Sequence, residues 1–79
     1  MPHLIVKLYP GKTAEQKSAL AERLTLAVME VLNCKETSVS VGFEEISAED
    51  WKNHVFLPDI QSQPEKIYKK PGYSLSDLA

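Results

Sequence analysis

Two short alternating segments flank one long amphipathic segment, and only a few residues link the three. Residues 3–9 alternate, so that Leu4, Val6 and Leu8 share one apolar face. Residues 38–46 alternate in the same way. A strand, a helix and a second strand joined by short links form a right-handed βαβ unit with parallel strands. We therefore predict an α/β fold built on one βαβ subunit.

The middle segment predicts a helix over residues 14–32. Thr13 and Gln16 match a capping box, in which the threonine caps the helix and the glutamine reaches back. Asn33 tolerates the left-handed conformation that commonly ends a helix. Apolar residues recur at steps of three and four and form one stripe, namely Leu20, Leu24, Ala27, Val28, Val31 and Leu32.

The remaining chain predicts shorter helices. Ser47 is a suitable N-cap for a second helix, which we expect Pro58 to end. Pro64 suits the first turn of a third short helix, with Ile67 and Tyr68 as its buried positions.

The length of 79 residues predicts one domain over residues 1–79. A chain this short is near the lower limit for burying an adequate core alone. Two strands and one long helix also leave a sheet edge and a sheet face uncovered. We therefore predict a homodimer with a four-stranded sheet in a two-layer arrangement, whose other face residues 52–71 cover.

Composition excludes several classes of partner. The net charge is −2 and Arg23 is the single arginine, so nothing favours nucleic acid. No apolar run could span a membrane, and no signal peptide is visible. His3, His54 and Cys34 show no metal-ligand spacing. A lone cysteine fits a reducing compartment, so we expect a cytoplasmic protein without a metal site.

The chain begins with Met1-Pro2, directly before the first predicted strand. If Met1 is removed, Pro2 carries a free secondary amine, held by a rigid ring at the head of the strand. No other part of the sequence offers an unusual nucleophile or base. The simpler interpretation of this dipeptide alone is an ordinary start without a chemical role.

Three sequence features together resemble the 4-oxalocrotonate tautomerase family over residues 2–51. They are the initial Met1-Pro2, the run Gly11-Lys12-Thr13-Ala14-Glu15-Gln16-Lys17, and the strand entry Thr37-Ser38-Val39-Ser40-Val41. The later run Lys69-Lys70-Pro71-Gly72-Tyr73-Ser74 resembles a dimeric bacterial subgroup of that family. The resemblance implies a cytoplasmic isomerase that interconverts keto and enol groups without a cofactor.

The resemblance also implies roles for four residues. Processed Pro2 would be the general base, and Lys12 would take the place of an arginine that binds a substrate carboxylate. Ser40 stands where better-known relatives carry a second arginine, and Gly42 widens the same face. Trp51 falls where relatives place an aromatic residue that lines the pocket. Losing one arginine favours a monocarboxylate with an aromatic end, such as an aryl enolpyruvate, over a dicarboxylate.

Other interpretations of the same residues stay open at this point. Lys12 could be a solvated turn residue, and Trp51 could anchor a helix in the core. The fold could serve a proline-based dehalogenase or hydratase of an unsaturated acid, with Glu44 or Glu45 as an activating carboxylate. It could also serve a non-catalytic dimeric binding module. Strand alternation predicts that His3 points away from Pro2.

Overall fold

The chain divides into two compact units in a computed structural model that describes all 79 residues. The N-terminal unit comprises residues 1–45 and the C-terminal unit comprises residues 46–79. The boundary follows the second strand directly. The single domain over residues 1–79 stays a prediction.

The N-terminal unit is the predicted βαβ unit. Strand β1 (His3–Leu8) leads into helix α1 (Ala14–Leu32), and a short 3₁₀ turn (Glu36–Ser38) precedes strand β2 (Ser40–Glu45). The two strands pair in parallel and form a two-stranded sheet. The sequence did not predict the 3₁₀ turn, which occupies the link between α1 and β2.

Helix α1 begins and ends at the predicted residues. The Thr13 hydroxyl accepts a hydrogen bond from the Gln16 amide at 3.0 Å, and the Thr13 amide donates to the Gln16 side chain at 2.9 Å. Asn33 closes the helix with a φ of 54°. Both ends are therefore determined by local side-chain chemistry rather than by distant packing.

The strand register decides which side chains share a face. His3 lies opposite Ser40, and successive pairs continue to Leu8 opposite Glu45. The carboxylate of Glu45 binds the Lys17 ammonium group on α1 at 2.8 Å, which marks that face as the one α1 covers. Ile5 lies on the opposite face with His3 and Ser40, where its side chain is exposed.

The N-terminal unit has no fully buried residue. Leu24 and Val28 of α1 are half-buried, whereas Val31 is 79% exposed and Leu32 is 61% exposed. Four of the six residues of the predicted apolar stripe are thus exposed, namely Leu20, Ala27, Val31 and Leu32. A contiguous apolar surface of this kind is typical of an association site.

The C-terminal unit is helical but irregular. Helix α2 (Ala48–Trp51) continues directly into a π-helix (Lys52–Gln61), and two 3₁₀ turns follow, Pro64–Lys66 and Leu75–Asp77. Ser47 caps α2 as predicted, because its hydroxyl accepts from the amide of the third helical residue at 3.3 Å. The third helix exists only as the first of these turns.

The prediction that Pro58 ends the second helix is wrong. The helix passes through Pro58 in its wider π form and ends with the Ser62 amide donating to the Leu57 carbonyl at 3.1 Å. A proline clashes with the carbonyl four residues earlier in an α-helix, and the wider π turn relieves that crowding. The Pro58 carbonyl in turn accepts from the Ser62 hydroxyl at 2.7 Å and the Gln63 side chain at 3.0 Å.

The buried residues of the chain are Val55 at 5% exposure and Phe56 at 7%. Both lie in the π-helix. Ile67 is half-buried as predicted, but Tyr68 is 99% exposed, so the prediction of a buried Tyr68 is wrong. The 3₁₀ turn ends before Ile67, whose backbone is extended, and consecutive side chains of extended backbone point to opposite sides.

Candidate functional site

Pro2 lies half-buried immediately before β1. Its carbonyl accepts a hydrogen bond from the Ser40 amide at 3.2 Å, which extends the strand ladder by one residue. Met1 is fully exposed. While Met1 is attached, the Pro2 nitrogen is an amide and has no basic lone pair. Once Met1 is removed, the ladder holds a secondary amine in a fixed position.

Ser40 lies next to Pro2, but its hydroxyl already has a partner. The Ser40 Oγ atom is 2.6 Å from Nδ1 of His3 across the two strands. The sequence predicts that Ser40 binds substrate, and the structure places it beside Pro2 with its hydroxyl held by His3. This pairing was missed because it depends on strand register, which the sequence alone does not show. A Cβ atom added at Gly42 would meet no heavy atom within 4 Å, so the same face is open.

Lys12 is the unpaired cation of a shallow groove of about 180 Å³. The groove lies between the end of β1 and the start of α1, and Leu8, Gln16 and Phe43 contribute to its wall. Its other cation, Lys17, is neutralised by Glu45. Lys12 is exposed and forms no ion pair, so its charge is available to an anion.

The start of α1 offers fewer free amides than an uncapped helix. The capping box uses the amides of Thr13 and Gln16. The amides of Ala14 and Glu15 remain without a hydrogen bond. Any anion held here would therefore rely on Lys12 and these two amides.

One chain does not bring Pro2 and Lys12 together. Pro2 precedes β1, Lys12 follows it, and the six steps from Pro2 to Leu8 span about 20 Å at the usual rise of a strand. A small acid cannot contact both ends of the strand at once. Pro2 and Ser40 thus form one half of the predicted site, and Lys12 forms another.

Trp51 belongs to the C-terminal unit, at the junction of α2 and the π-helix. Its indole N–H donates to the Tyr73 hydroxyl at 2.9 Å, and the Tyr73 ring lies 5.6 Å from the ring of Phe56. The indole donor predicted for substrate is therefore already used by Tyr73. The sequence did not predict Tyr73 as the partner of Trp51, because the two residues lie 22 positions apart and no motif links them.

The structure offers no further group for a metal ion. No three histidine, cysteine, aspartate or glutamate side chains cluster closely enough to hold one. None of the helices combines the length and apolar character that crossing a membrane requires.

The family model described as "Tautomerase enzyme" matches residues 2–55. A probable tautomerase of Xylella fastidiosa (strain 9a5c) is 41% identical over 73 residues, which cover 92% of this chain and 89% of that protein. Tautomerase PptA of Escherichia coli (strain K12) is 38% identical over 77 residues, which cover 96% of this chain and 99% of that protein.

Solved structures agree with these relatives. TomN, a 4-oxalocrotonate tautomerase homologue of the tomaymycin biosynthetic pathway, has a TM-score of 0.61 at 36% identity, over 63% of this chain and 77% of TomN. YwhB, another homologue of 4-oxalocrotonate tautomerase, has a TM-score of 0.61 at 29% identity, over 99% of this chain and all of that chain. The fold and the sequence thus lead to the same family.

Proposed function

Because this chain belongs to the 4-oxalocrotonate tautomerase family and is an isomerase with PptA-like relatives, we propose that processed Pro2 is its general base. The observation that carries this proposal is the position of Pro2. It lies half-buried at the head of β1, and a backbone hydrogen bond from Ser40 anchors it there. A base must be held in one place to act on one proton.

The reaction that suits this base is a keto–enol interconversion. The neutral Pro2 nitrogen takes the proton of an enol hydroxyl, and the electron pair of that bond forms the ketone. The carbon–carbon double bond then takes a proton back from the prolinium at carbon. Partial burial and a nearby cation each lower the pKa of an amine, which keeps more of it in the neutral, basic form. Metal and cofactor have no part in this sequence of steps.

Lys12 is proposed to bind the substrate carboxylate, and it would do so from a second chain. Two-fold pairing of two β1 edges is antiparallel, so the start of one strand meets the end of the other. Pro2 of one chain then lies beside Lys12 of its partner. If the two chains paired through their β2 edges instead, two more strands would separate Pro2 of one chain from Lys12 of its partner. The separation of Pro2 and Lys12 along β1 thus supports a site shared within a homodimer.

Burial supports the same assembly. The N-terminal unit buries no residue fully, and Leu26, Val31 and Leu32 of α1 are exposed. A second copy that extends the sheet to four strands would place another α1 on the same face. The exposed apolar residues would then be covered by equivalent residues of the partner. We propose a homodimer on these grounds.

The proposed substrate is a small enol acid with one carboxylate and a bulky apolar end, such as an aryl enolpyruvate. Lys12 supplies one unpaired positive charge, and Ser40 supplies no second one. Gly42 leaves open space on the face that Ser40 shares. Trp51 stands at the position where relatives place an aromatic residue that lines the pocket, and we propose that it lies near this apolar end.

The lone Cys34 agrees with a reducing cytoplasm.

A dehalogenase or hydratase receives less support from the structure. That chemistry calls for an activating carboxylate beside the base. Glu45 is tied to Lys17, and Glu44 lies opposite Lys7 near the far end of the sheet from Pro2. Glu45 is thus neutralised by Lys17, and neither the sequence nor the structure shows a feature that would make Glu44 an activating carboxylate, so the tautomerase is preferred.

The proposal is tested by mixing two variants that are each strongly impaired. Pro2→Ala chains retain Lys12, and Lys12→Ala chains retain Pro2. A mixed dimer then holds one site with both natural residues. Co-refolding equal amounts should restore about a quarter of the natural activity, since half of the dimers are mixed and each has one complete site. Intact mass must first show that Met1 is absent. If mixing restores nothing while mixed dimers form, a shared site is refuted.

A further inference from the structure

The C-terminal unit contains a cavity of about 370 Å³ that the tautomerase chemistry does not use. Phe56 and Tyr73 supply an aromatic part of its wall, and Ile60, Ile67 and Leu75 supply an aliphatic part. Its volume is within the range of pockets that hold small molecules. The lining includes none of Pro2, Lys12, Ser40 and Trp51, and it belongs entirely to residues 56–75.

Lys70 is the single charged residue in this lining. It forms no ion pair and no hydrogen bond, and its side chain is exposed. The acidic residues on either side of Lys70 in sequence, Glu65 and Asp77, do not line the cavity. Asp77 already accepts from the Ser74 amide at 2.8 Å and the Ser74 hydroxyl at 3.2 Å. An apolar cavity with one unpaired cation and no carboxylate complements an apolar molecule with one negative charge.

We propose that this cavity is a binding site for a small amphipathic carboxylate, with its apolar body between the aromatic and aliphatic walls and its carboxylate at Lys70. The apolar body removes the exposed parts of the wall from water, which supplies most of the affinity. The ion pair with Lys70 selects an acid over an alcohol of the same length. The site binds its ligand non-covalently, so no proton is transferred and no covalent bond forms or breaks.

The structure contains its own reporters of occupancy. Trp51 is the single tryptophan of the chain, and its indole donates to Tyr73, which lines the cavity. A ligand against Tyr73 should therefore change the fluorescence of Trp51. Ile60 and Ile67 line the cavity, whereas Ile5 lies on β1. Methyl NMR of isoleucine can thus show which part of the chain the ligand contacts.

The test is a titration of the full chain with octanoate and with 1-octanol. Octanoate should shift the methyl signals of Ile60 and Ile67 more than that of Ile5, and change the Trp51 fluorescence. Lys70→Gln should weaken octanoate binding about tenfold and leave octanol binding unchanged, because only the acid uses the charge. Lys69→Gln is the matched control, since it removes a neighbouring exposed lysine outside the lining.

Lys12→Gln separates this site from the proposed catalytic one. Octanoate bound at Lys70 should be insensitive to Lys12→Gln, whereas octanoate bound in the catalytic site should depend on Lys12 and not on Lys70. The second pattern would overturn the proposal without touching the tautomerase assignment. An equal loss of octanol and octanoate binding in Lys70→Gln would also overturn it, as would unchanged Ile60 and Ile67 signals at saturating octanoate.

Discussion

The two units of the chain differ in the regularity of their backbone and in the burial of their side chains, and the more regular unit is the less buried one. The N-terminal unit has two paired strands and a fully capped helix, but no buried residue. The C-terminal unit consists of short, irregular helical turns, yet it contains the buried Val55 and Phe56. Regular backbone hydrogen bonding and a closed core are thus achieved in separate parts of one small chain.

The difference indicates a division of labour. Regular strands hold Pro2 and Ser40 in fixed positions, as the proposed chemistry requires, and the exposed α1 residues are the ones that the proposed homodimer would cover. The irregular unit can enclose Phe56 because turns of several kinds wrap around it. Substitutions in the first unit should therefore affect turnover, and substitutions in the second should affect folding. Four pairs of variants test this contrast.

The largest effect is expected for Pro2→Ala. The variant keeps an amine at the N-terminus but loses the ring that fixes it, so kcat should fall by about a thousandfold, in the range of a positioned base. Circular dichroism and thermal unfolding should stay close to those of the natural chain. Pro10→Ala, at an exposed turn of the same unit, should leave kcat unchanged. Near-normal turnover in Pro2→Ala of verified mass would refute Pro2 as the base.

The next largest effect is expected for Phe56→Ala. Removing a ring that is 7% exposed should lower the free energy of unfolding by about 3 kcal/mol, through lost burial and a new cavity. Tyr68→Ala removes a ring that is 99% exposed and should change it by less than about 0.5 kcal/mol. Denaturant unfolding at one fixed protein concentration measures both. Equal losses would contradict the placement of the core.

A smaller effect is expected for Lys12→Ala. The loss of one charged hydrogen bond to a carboxylate should lower kcat/KM by about 10- to 100-fold. Lys12→Arg should retain the activity, and Lys35→Ala should retain it because Lys35 is an exposed lysine without an ion pair. Measuring kcat/KM for an enol acid and for its neutral ester tests the carboxylate role of Lys12, because only the acid carries the carboxylate. If Lys12→Ala slowed both equally, a carboxylate role would be wrong.

The smallest effect is expected for His3→Ala. It removes the hydrogen bond between His3 and Ser40 beside Pro2 and frees the Ser40 hydroxyl. An exposed hydrogen bond contributes about 1 kcal/mol at most, so kcat should change by about fivefold or less. His54→Ala, in the C-terminal unit, should not change kcat at all. A loss as large as that of Pro2→Ala would instead make His3 a catalytic residue.

The sequence was sufficient where local chemistry decides the structure. The capping pair Thr13 and Gln16 and the left-handed Asn33 determine both ends of α1, and alternation determines β1 and β2. It failed at Pro58 because a proline can be accommodated by a wider π turn as well as by the end of a helix, and the residue pattern does not show which of the two occurs. It failed at Tyr68 because the 3₁₀ turn ends before Ile67, and in the extended backbone that follows, Ile67 and Tyr68 point to opposite sides.

The candidate site was predictable only residue by residue. Pro2 and Lys12 were found from their positions in motifs, but their separation by the length of β1 required the strand boundaries. The pairing of His3 with Ser40 required the register. The pairing of Trp51 with Tyr73 joins residues 22 positions apart across irregular turns, which no periodic pattern reveals.

The exposed apolar residues of α1, which the proposed homodimer would cover, also affect how the rate of turnover depends on the concentration of the chain. The proposed site, which takes Pro2 from one chain and Lys12 from another, would exist only in paired chains. Below the dissociation constant, the concentration of pairs rises with the square of the concentration of chains. In that range of concentration the proposal predicts that halving the expression of the gene would remove more than half of the turnover.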